Sequence, residues 1–288
     1  MSTASDQQQL PAGVTVHRDV AYVPNGHERQ KLDLYLPAGG EKRPLIIWIH
    51  GGAFRRGSKE SPELPVDYLA HGFALAAINY RLSQHAIFPA QLEDSKTAVR
   101  WLRAHADHFK LDSERFIAWG PSAGAYLSAM LGTTGHTTEF DVGEHLAMSS
   151  QVQAVVDYFG PTDFLQMDAQ RVPDGMVHNT ADSPESELIG GAIQDHPDKV
   201  AKASPITYVT SDAPPFLIVH GDSDLLVPYQ QSPLLVAALQ KAGVSVTFYT
   251  VVGGGHGGFT DPQVALLTQA FLAEQFGITF SATAGDEA

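Results

Sequence analysis

The chain has 288 residues, 43% of them hydrophobic and 17% charged, enough to bury one large core. Its formal charge of −14 makes nucleic acid and anionic membrane surfaces poor partners. The absence of cysteine excludes disulfides and thiol catalysis.

The opening Met1–Gln9 has no basic run followed by an apolar one, so it reads as something other than a signal peptide. No later stretch is long enough to span a bilayer. A cytoplasmic protein is the expectation, although a chain trimmed of its leader would read the same. Residues 1–13 and the tail 281–288 are expected to be loose. Everything between, 14–280, reads as a single domain without an internal repeat.

Val14–Tyr22 and Gln30–Leu36 alternate around Asn25-Gly26, which predicts a hairpin. Leu45–His50 is a continuous apolar strand of the kind buried in a parallel sheet, and it runs into Gly51-Gly52-Ala53-Phe54. Glycines at a strand's carboxyl end expose backbone N–H groups where open α/β sheets place ligands. A helix around Leu64–His71 and a strand over Phe73–Tyr80 follow. Over Gln91–Phe109, Leu92, Val99, Leu102, Ala106 and Phe109 recur at spacings of three, four and seven, predicting one amphipathic helix.

Phe116–Trp119 is a short apolar strand, Gly120-Pro121-Ser122-Ala123-Gly124 a turn, and Tyr126–Leu131 the start of a buried helix. Strand, G-x-S-x-G and helix in that order form a nucleophile elbow. The serine takes a strained conformation at the apex, and glycines on both sides avoid clashes with strand and helix. Residues 132–150 look irregular, and Val152–Phe159 is a strand stopped by Gly160-Pro161. Residues 162–204 carry no strand pattern and read as an inserted helical cap, or alternatively as a mobile surface loop.

Pro215–His220 is a core strand ending in Gly221-Asp222-Ser223-Asp224. Pro228 and Gly243 bound a helix at about 228–242. Val244–Val252 is the last strand and runs into Gly253-Gly254-Gly255-His256-Gly257-Gly258. Asp261 caps a final helix that closes near Gly277. Strands alternate with helices throughout, which implies an α/β architecture with a mostly parallel sheet flanked by helices.

A serine hydroxyl is a weak nucleophile at neutral pH and needs a base within hydrogen-bond reach. That base needs an acid behind it to fix its tautomer. Both types stand at strand ends: Asp224 after the strand 215–220, His256 after the strand 244–252. No H-E-x-x-H or comparable spacing suggests a metal, and no cofactor motif is present.

The order Ser122, Asp224, His256 resembles that of α/β-hydrolase serine esterases. The likeness extends to HGGAF at 50–54, NYRL at 79–82, FPAQLED at 88–94, GPSAG at 120–124, HGDSDLLVP at 220–228 and GGGHGG at 253–258. Hormone-sensitive-lipase-like bacterial carboxylesterases and acetyl-xylan/feruloyl-esterase-like proteins are the families it resembles most. The resemblance implies the α/β-hydrolase fold and an oxyanion hole made by the N–H groups of Gly51, Gly52 and Ala123. It also implies Asp224, the second carboxylate of G-D-x-D, as the acid, which leaves Asp222 to cap its turn. His50 is expected to hold the oxyanion loop and His220 to be a buried strand-end group. Asp94 reads as a loop anchor or dipole partner, and Tyr80 and Arg81 as loop anchors.

Two positions depart from the family pattern. Pro121 stands where relatives carry a polar or aromatic residue, and Ala125 where many have glycine. Proline fixes φ and removes an N–H, so Pro121 is expected to tune activity while leaving the elbow intact. The implied activity is hydrolysis of small to medium acyl esters, with a small-molecule ester as the partner. An arylformamidase-like amide hydrolase and a non-catalytic hydrolase-like ligand-binding protein are the alternatives. Acyl-chain length, alcohol and oligomeric state are not legible.

Overall fold

The computed structural model describes residues 10–280. The expected loose tails therefore lie outside the described residues, apart from positions 10–13. Eight strands form one sheet: β1 (Thr15–Ala21), β2 (Lys31–Leu36), β3 (Arg43–Ile49), β4 (Ala74–Ile78), β5 (Leu111–Pro121), β6 (Ala154–Tyr158), β7 (Phe216–Gly221) and β8 (Val246–Val251). Their order is β1-β2-β4-β3-β5-β6-β7-β8. The hairpin β1–β2 and the pair β2–β4 are antiparallel, and every later pairing is parallel.

The helices are α1 (Ala90–Ala104), α2 (Ala106–Phe109), α3 (Ala123–Thr133), α4 (Met167–Gln170), α5 (Pro184–Ile189), α6 (Pro197–Lys202), α7 (Gln231–Lys241) and α8 (Pro262–Phe276). Residues on β3 alternate between the two faces of the sheet. Leu45, Ile47 and Ile49 pack with Leu92, Val99 and Leu127 from α1 and α3. Ile46 and Trp48 pack with Leu69 and with Phe271 and Leu272 from α8. The continuous apolar run of β3 is thus what a strand covered on both faces requires. Among the described residues no helix is long and apolar enough to cross a membrane.

Several boundaries differ from the sequence reading. The segment near Leu64–His71 is a 3₁₀ helix over Val66–His71, closed by Gly72 at φ 85°. The helix expected over Gln91–Phe109 breaks at His105. There the imidazole stacks on Trp101 at 4.0 Å, and its Nδ1 lies 2.7 Å from the Trp101 carbonyl. A side chain so placed competes for a carbonyl at the end of the helical ladder, and hydrophobic periodicity is blind to it. The helix expected at 228–242 begins at Gln231, because Pro228 and Tyr229 form the turn before it. Asp261 caps α8 as expected, its Oδ1 accepting the Gln263 N–H at 2.9 Å.

Residues 134–153 hold no helix or strand, and three cationic side chains on α1 organise them. Lys96 and Arg100 are both fully buried. They converge on one carboxylate oxygen, Asp141 Oδ1, at 3.1 and 2.8 Å. Lys96 Nζ also donates to the carbonyls of Thr134 and Thr137 at 3.1 and 2.7 Å. Arg103 donates to the carbonyl of Gln151 at 2.8 Å. Removing one partner of a buried ion pair leaves charge without compensation. Asp141→Ala strands two cations, so it should lower the free energy of unfolding by about 3 kcal/mol in urea denaturation. A loss below about 0.5 kcal/mol would show that both cations reach water instead.

Candidate active site

The elbow is set by how closely two backbones approach. Ser122 sits at φ 54°, ψ −123° between β5 and α3, a conformation that L-residues avoid. Its N–H donates to the Tyr158 carbonyl at 2.8 Å, and its carbonyl accepts from Tyr126 at 3.0 Å. A methyl group on Gly124 would lie 1.9 Å from the Ile49 carbonyl oxygen of β3, and one on Gly120 would lie 2.4 Å from the same atom. Both glycines are therefore dictated by contact with β3. Pro121 ends β5 without disturbing its pairing to β6, and Ala125 is fully buried in α3.

The strand ends β5, β7 and β8 bring three of the sequence candidates together. Ser122 Oγ lies 3.0 Å from His256 Nε2, and His256 Nδ1 lies 2.7 Å from Asp224 Oδ2. Asp222 is not part of this chain. Its Oδ1 accepts the Gly253 N–H at 2.7 Å and the Ser223 hydroxyl at 3.0 Å, closing the turn.

Asp224 is nearly saturated with donors. Oδ1 accepts the N–H groups of Leu226 and Val227 at 2.7 and 3.0 Å. Oδ2 is shared by His256 and by His220 Nε2 at 3.2 Å. The tautomer of His220 follows from its neighbours. Nε2 faces only acceptors, Asp224 Oδ2 and the Val227 carbonyl at 3.1 Å, so it carries the proton. Nδ1, 2.7 Å from Ser232 Oγ, can then accept the serine hydroxyl. Burial works against the Asp224 carboxylate, but hydrogen bonds from His220 and His256 prevail and hold it well below the usual carboxylate range.

The loop after β3 stands beside the serine. The Cβ position of Gly51 would be 3.4 Å from Ser122 Cβ. Among the described residues, the N–H groups of Gly51, Gly52 and Ala123 have no protein acceptor. Gly52, at φ 112°, has no room for a side chain, because its Cβ would meet the Arg56 carbonyl at 2.4 Å.

His50 fastens this loop. Its Nδ1 donates to the Gly51 carbonyl at 2.7 Å, and its Nε2 accepts from Arg29 Nη2 at 3.0 Å. The ring stacks on Tyr80 at 4.4 Å, and the Tyr80 hydroxyl donates to the His50 carbonyl at 2.9 Å. Arg29 also donates to the carbonyls of Tyr80 and Gly57 at 2.8 and 2.9 Å. Asp94 anchors a neighbouring loop, accepting from Gln30 at 2.7 Å and from the N–H of Arg81 at 2.9 Å. Its guanidinium partner, also Arg81, stands 2.7 Å away.

These elements enclose a cavity of about 680 Å³ that contains Ser122, His256 and the 50–57 loop. Met176, His178, Pro184 and Glu185 form part of its wall. Two contributors escaped the sequence reading. Arg29 lies in the turn between β1 and β2, far along the chain from His50, and nothing local marks it. Phe159, at φ 51°, packs edge-on against the His256 ring at 4.7 Å. The only hint of it was the Gly160-Pro161 stop immediately after.

Comparison with known proteins places this geometry in context. A family model described as BD-FAE matches residues 32–239. Esterase LipC of Mycobacterium tuberculosis is 32% identical over 211 residues, covering 73% of this chain and 50% of that protein. The probable carboxylic ester hydrolase LipM of the same organism is 30% identical, covering 79% of this chain and 53% of that protein. The chain spans about half the length of these curated relatives. Among solved structures, a truncated form of a carbohydrate esterase from gut microbiota matches with a TM-score of 0.84 at 36% identity, over 91% of this chain and 96% of that one. The sheet and its flanking helices have the α/β-hydrolase fold.

Burial and the neighbouring Arg29 charge push His50 down from 6.5 to about 4, although its bond to Gly51 works the other way. Between those values the unfolded chain binds a proton that the folded chain refuses. Stability therefore falls as pH drops through that window, by about 3 kcal/mol in full. Asp157, buried beside the elbow and pushed up from 3.8 to about 6, has the opposite slope, since the folded chain keeps a proton that the unfolded chain releases. The two contributions oppose each other between pH 4 and 6. His50→Gln should unmask the Asp157 slope, so that stability relative to wild type shifts toward acid in urea melts at pH 4, 5, 6 and 7. Parallel profiles for the two proteins would show that His50 is not held neutral by the fold.

Proposed function

This chain belongs to the BD-FAE family, and on that premise we propose that it is a serine carboxylesterase that hydrolyses small to medium acyl esters through an acyl-enzyme. The observation that carries the reading is the unbroken relay from Ser122 through His256 to Asp224, open to a cavity of about 680 Å³.

Ser122 Oγ attacks the ester carbonyl carbon as His256 Nε2 takes its proton. Asp224 keeps the other ring proton on Nδ1 and stabilises the imidazolium. The carbonyl oxygen gains negative charge beside the N–H groups of Gly51, Gly52 and Ala123, which have no protein acceptor to give up. Collapse of this intermediate breaks the bond to the alcohol oxygen, which takes the proton from Nε2. Water then enters, gives a proton to His256 and attacks the acyl carbon, releasing the acid and restoring Ser122. The scheme calls on no metal and no cofactor. Residues 162–204 act as a cap that bounds the substrate, since they supply Met176, His178, Pro184 and Glu185 to the cavity wall. The 36% identity to a carbohydrate esterase favours a sugar-like alcohol.

Ser122→Ala should abolish turnover of 4-nitrophenyl acetate while leaving the melting temperature unchanged. More than a trace of activity would remove Ser122 from the role of nucleophile. Asp224→Asn should lower kcat by about 10⁴ by favouring the wrong tautomer of His256. Asp222→Asn should lower it by less than about tenfold, because it closes a turn and does not touch the relay. The reverse ranking in steady-state kinetics would transfer the acid role to Asp222.

A further inference from the structure

The cavity wall also carries a histidine–carboxylate pair that the relay does not use. His178 Nδ1 lies 3.0 Å from Glu185 Oε2, and both residues line the cavity that holds Ser122 and His256. They are 1% and 4% exposed, deep enough that every polar atom needs a partner. Yet His178 Nε2 is buried without a hydrogen bond. Among the described residues Glu185 Oε1 has no hydrogen-bond partner either; the contact of this carboxylate is through Oε2.

The pair is built to stay in place. Asp168 accepts the backbone N–H groups of His178 and Asn179 at 2.6 and 3.0 Å. The Met176 N–H donates to the Leu225 carbonyl at 2.7 Å, tying the same stretch to the loop after β7. Ser183 caps α5, its Oγ accepting the Ser186 N–H at 3.1 Å, and so fixes Glu185 in the first turn. Arg55, from the loop after β3, bonds Glu187 at 2.7 Å and the Asp182 carbonyl. Within this frame His178 Nε2 has no partner and lies just behind the cavity lining, one small turn of the ring from a hydroxyl in the cavity, and Glu185 Oε1 is unpaired without being sealed off.

We propose that His178 and Glu185 form an acceptor pair that receives hydroxyl groups on the alcohol portion of the ester. The inference rests on Ser122 working as an esterase nucleophile from the same cavity. The chemistry of the pair selects its ligand. A carboxylate beside Nδ1 keeps the imidazole proton there, so Nε2 presents a bare lone pair. Glu185 Oε1 is likewise an acceptor. Two acceptors take a ligand that brings two donors, as vicinal hydroxyls do. Simple aliphatic acyl chains carry no donor, so the hydroxyls belong to the alcohol. An alkyl alcohol in the same place leaves Nε2 unpaired and covers Oε1 without offering a donor, which a site of this kind penalises more than the loss of a methylene. Glu185 and His178 are thus specificity-determining residues, and the proton relay is independent of them.

Glycerol monoacetate and n-propyl acetate share an acyl group and a primary alkoxide leaving group, and they differ in hydroxyls. In pH-stat assays the wild-type protein should favour glycerol monoacetate in kcat/KM by about tenfold or more. Glu185→Gln, and separately His178→Leu, should erase most of that preference, chiefly through KM for glycerol monoacetate. A ratio that both variants leave unchanged would overturn the proposal, as would an equal fall for both esters. Methyl ferulate against methyl cinnamate supplies the acyl-side arm. A hydroxyl preference there that Glu185→Gln abolishes, with the acetate ratio intact, would move the pair to the acyl side and overturn the assignment. Binding gives a readout without turnover: the Ser122→Ala protein should bind glycerol monoacetate in an NMR titration, and Ser122→Ala with Glu185→Gln should not. Loss of turnover for every ester in the wild-type protein would sink the esterase reading by itself, whereas equal binding by the two variants would sink this one.

Discussion

The site depends on one carbonyl oxygen. Ile49, the last residue of β3, presses its C=O against the two glycines that flank Ser122, at positions where a methyl group would come within 2.4 Å or less. That contact locks the serine loop, the start of α3 and the loop after β3 into one rigid block. The strained Ser122 backbone persists because its neighbours leave no room for relaxation. The same block fixes Gly51 beside the serine. In the proposed reaction this preorganisation spares reorientation as charge develops on the carbonyl oxygen.

Behind the block, the polar groups are arranged by acceptor counting. Asp224 Oδ2 receives two imidazoles, and the one without access to the cavity, His220, is held by Ser232 on its other side. His50 is fixed in the same manner between a carbonyl and a guanidinium. In each case one ring nitrogen faces an atom that can only accept or only donate, and the tautomer of the whole ring follows. His220 and His50 thus take their tautomers from fixed partners, whereas His256 Nε2 faces a hydroxyl that can donate or accept.

What could be read from the sequence were the places where a local signal and a structural need coincide. A glycine pair after an apolar strand, a serine between glycines and a histidine in a glycine run each mark a strand end, and in this fold the strand ends meet. Asp222 and Asp224 carry the same local signal, and the choice between them came from resemblance. In space they separate at once, since one bonds a turn N–H and the other an imidazole. Arg29, Phe159, His178 and Glu185 could not be read this way. Their significance comes from partners across the fold, and they sit in segments without periodicity. The early end of α1 was hidden for a related reason: the ring of His105 competes for a carbonyl, which no hydrophobic pattern records.

The strands β6 and β7 lie side by side in parallel register, Val155 against Phe216 through Tyr158 against Val219. The chain leaves one at residue 158 and enters the other at 216, and the excursion between them supplies part of the cavity wall. The register belongs to the strands, while Phe164, Met167, Leu188, Ile193 and Val200 of the excursion are buried in the core on one face of the sheet. Length can therefore be added at its exposed turns, where each doubling of a flexible loop costs only about 0.6 kcal/mol of closure entropy. Ser122, Asp224 and His256 all lie outside it. On the proposed reading, recognition and chemistry are written on different lengths of one polypeptide, and a lineage can rewrite the exposed turns of the first while inheriting the second intact.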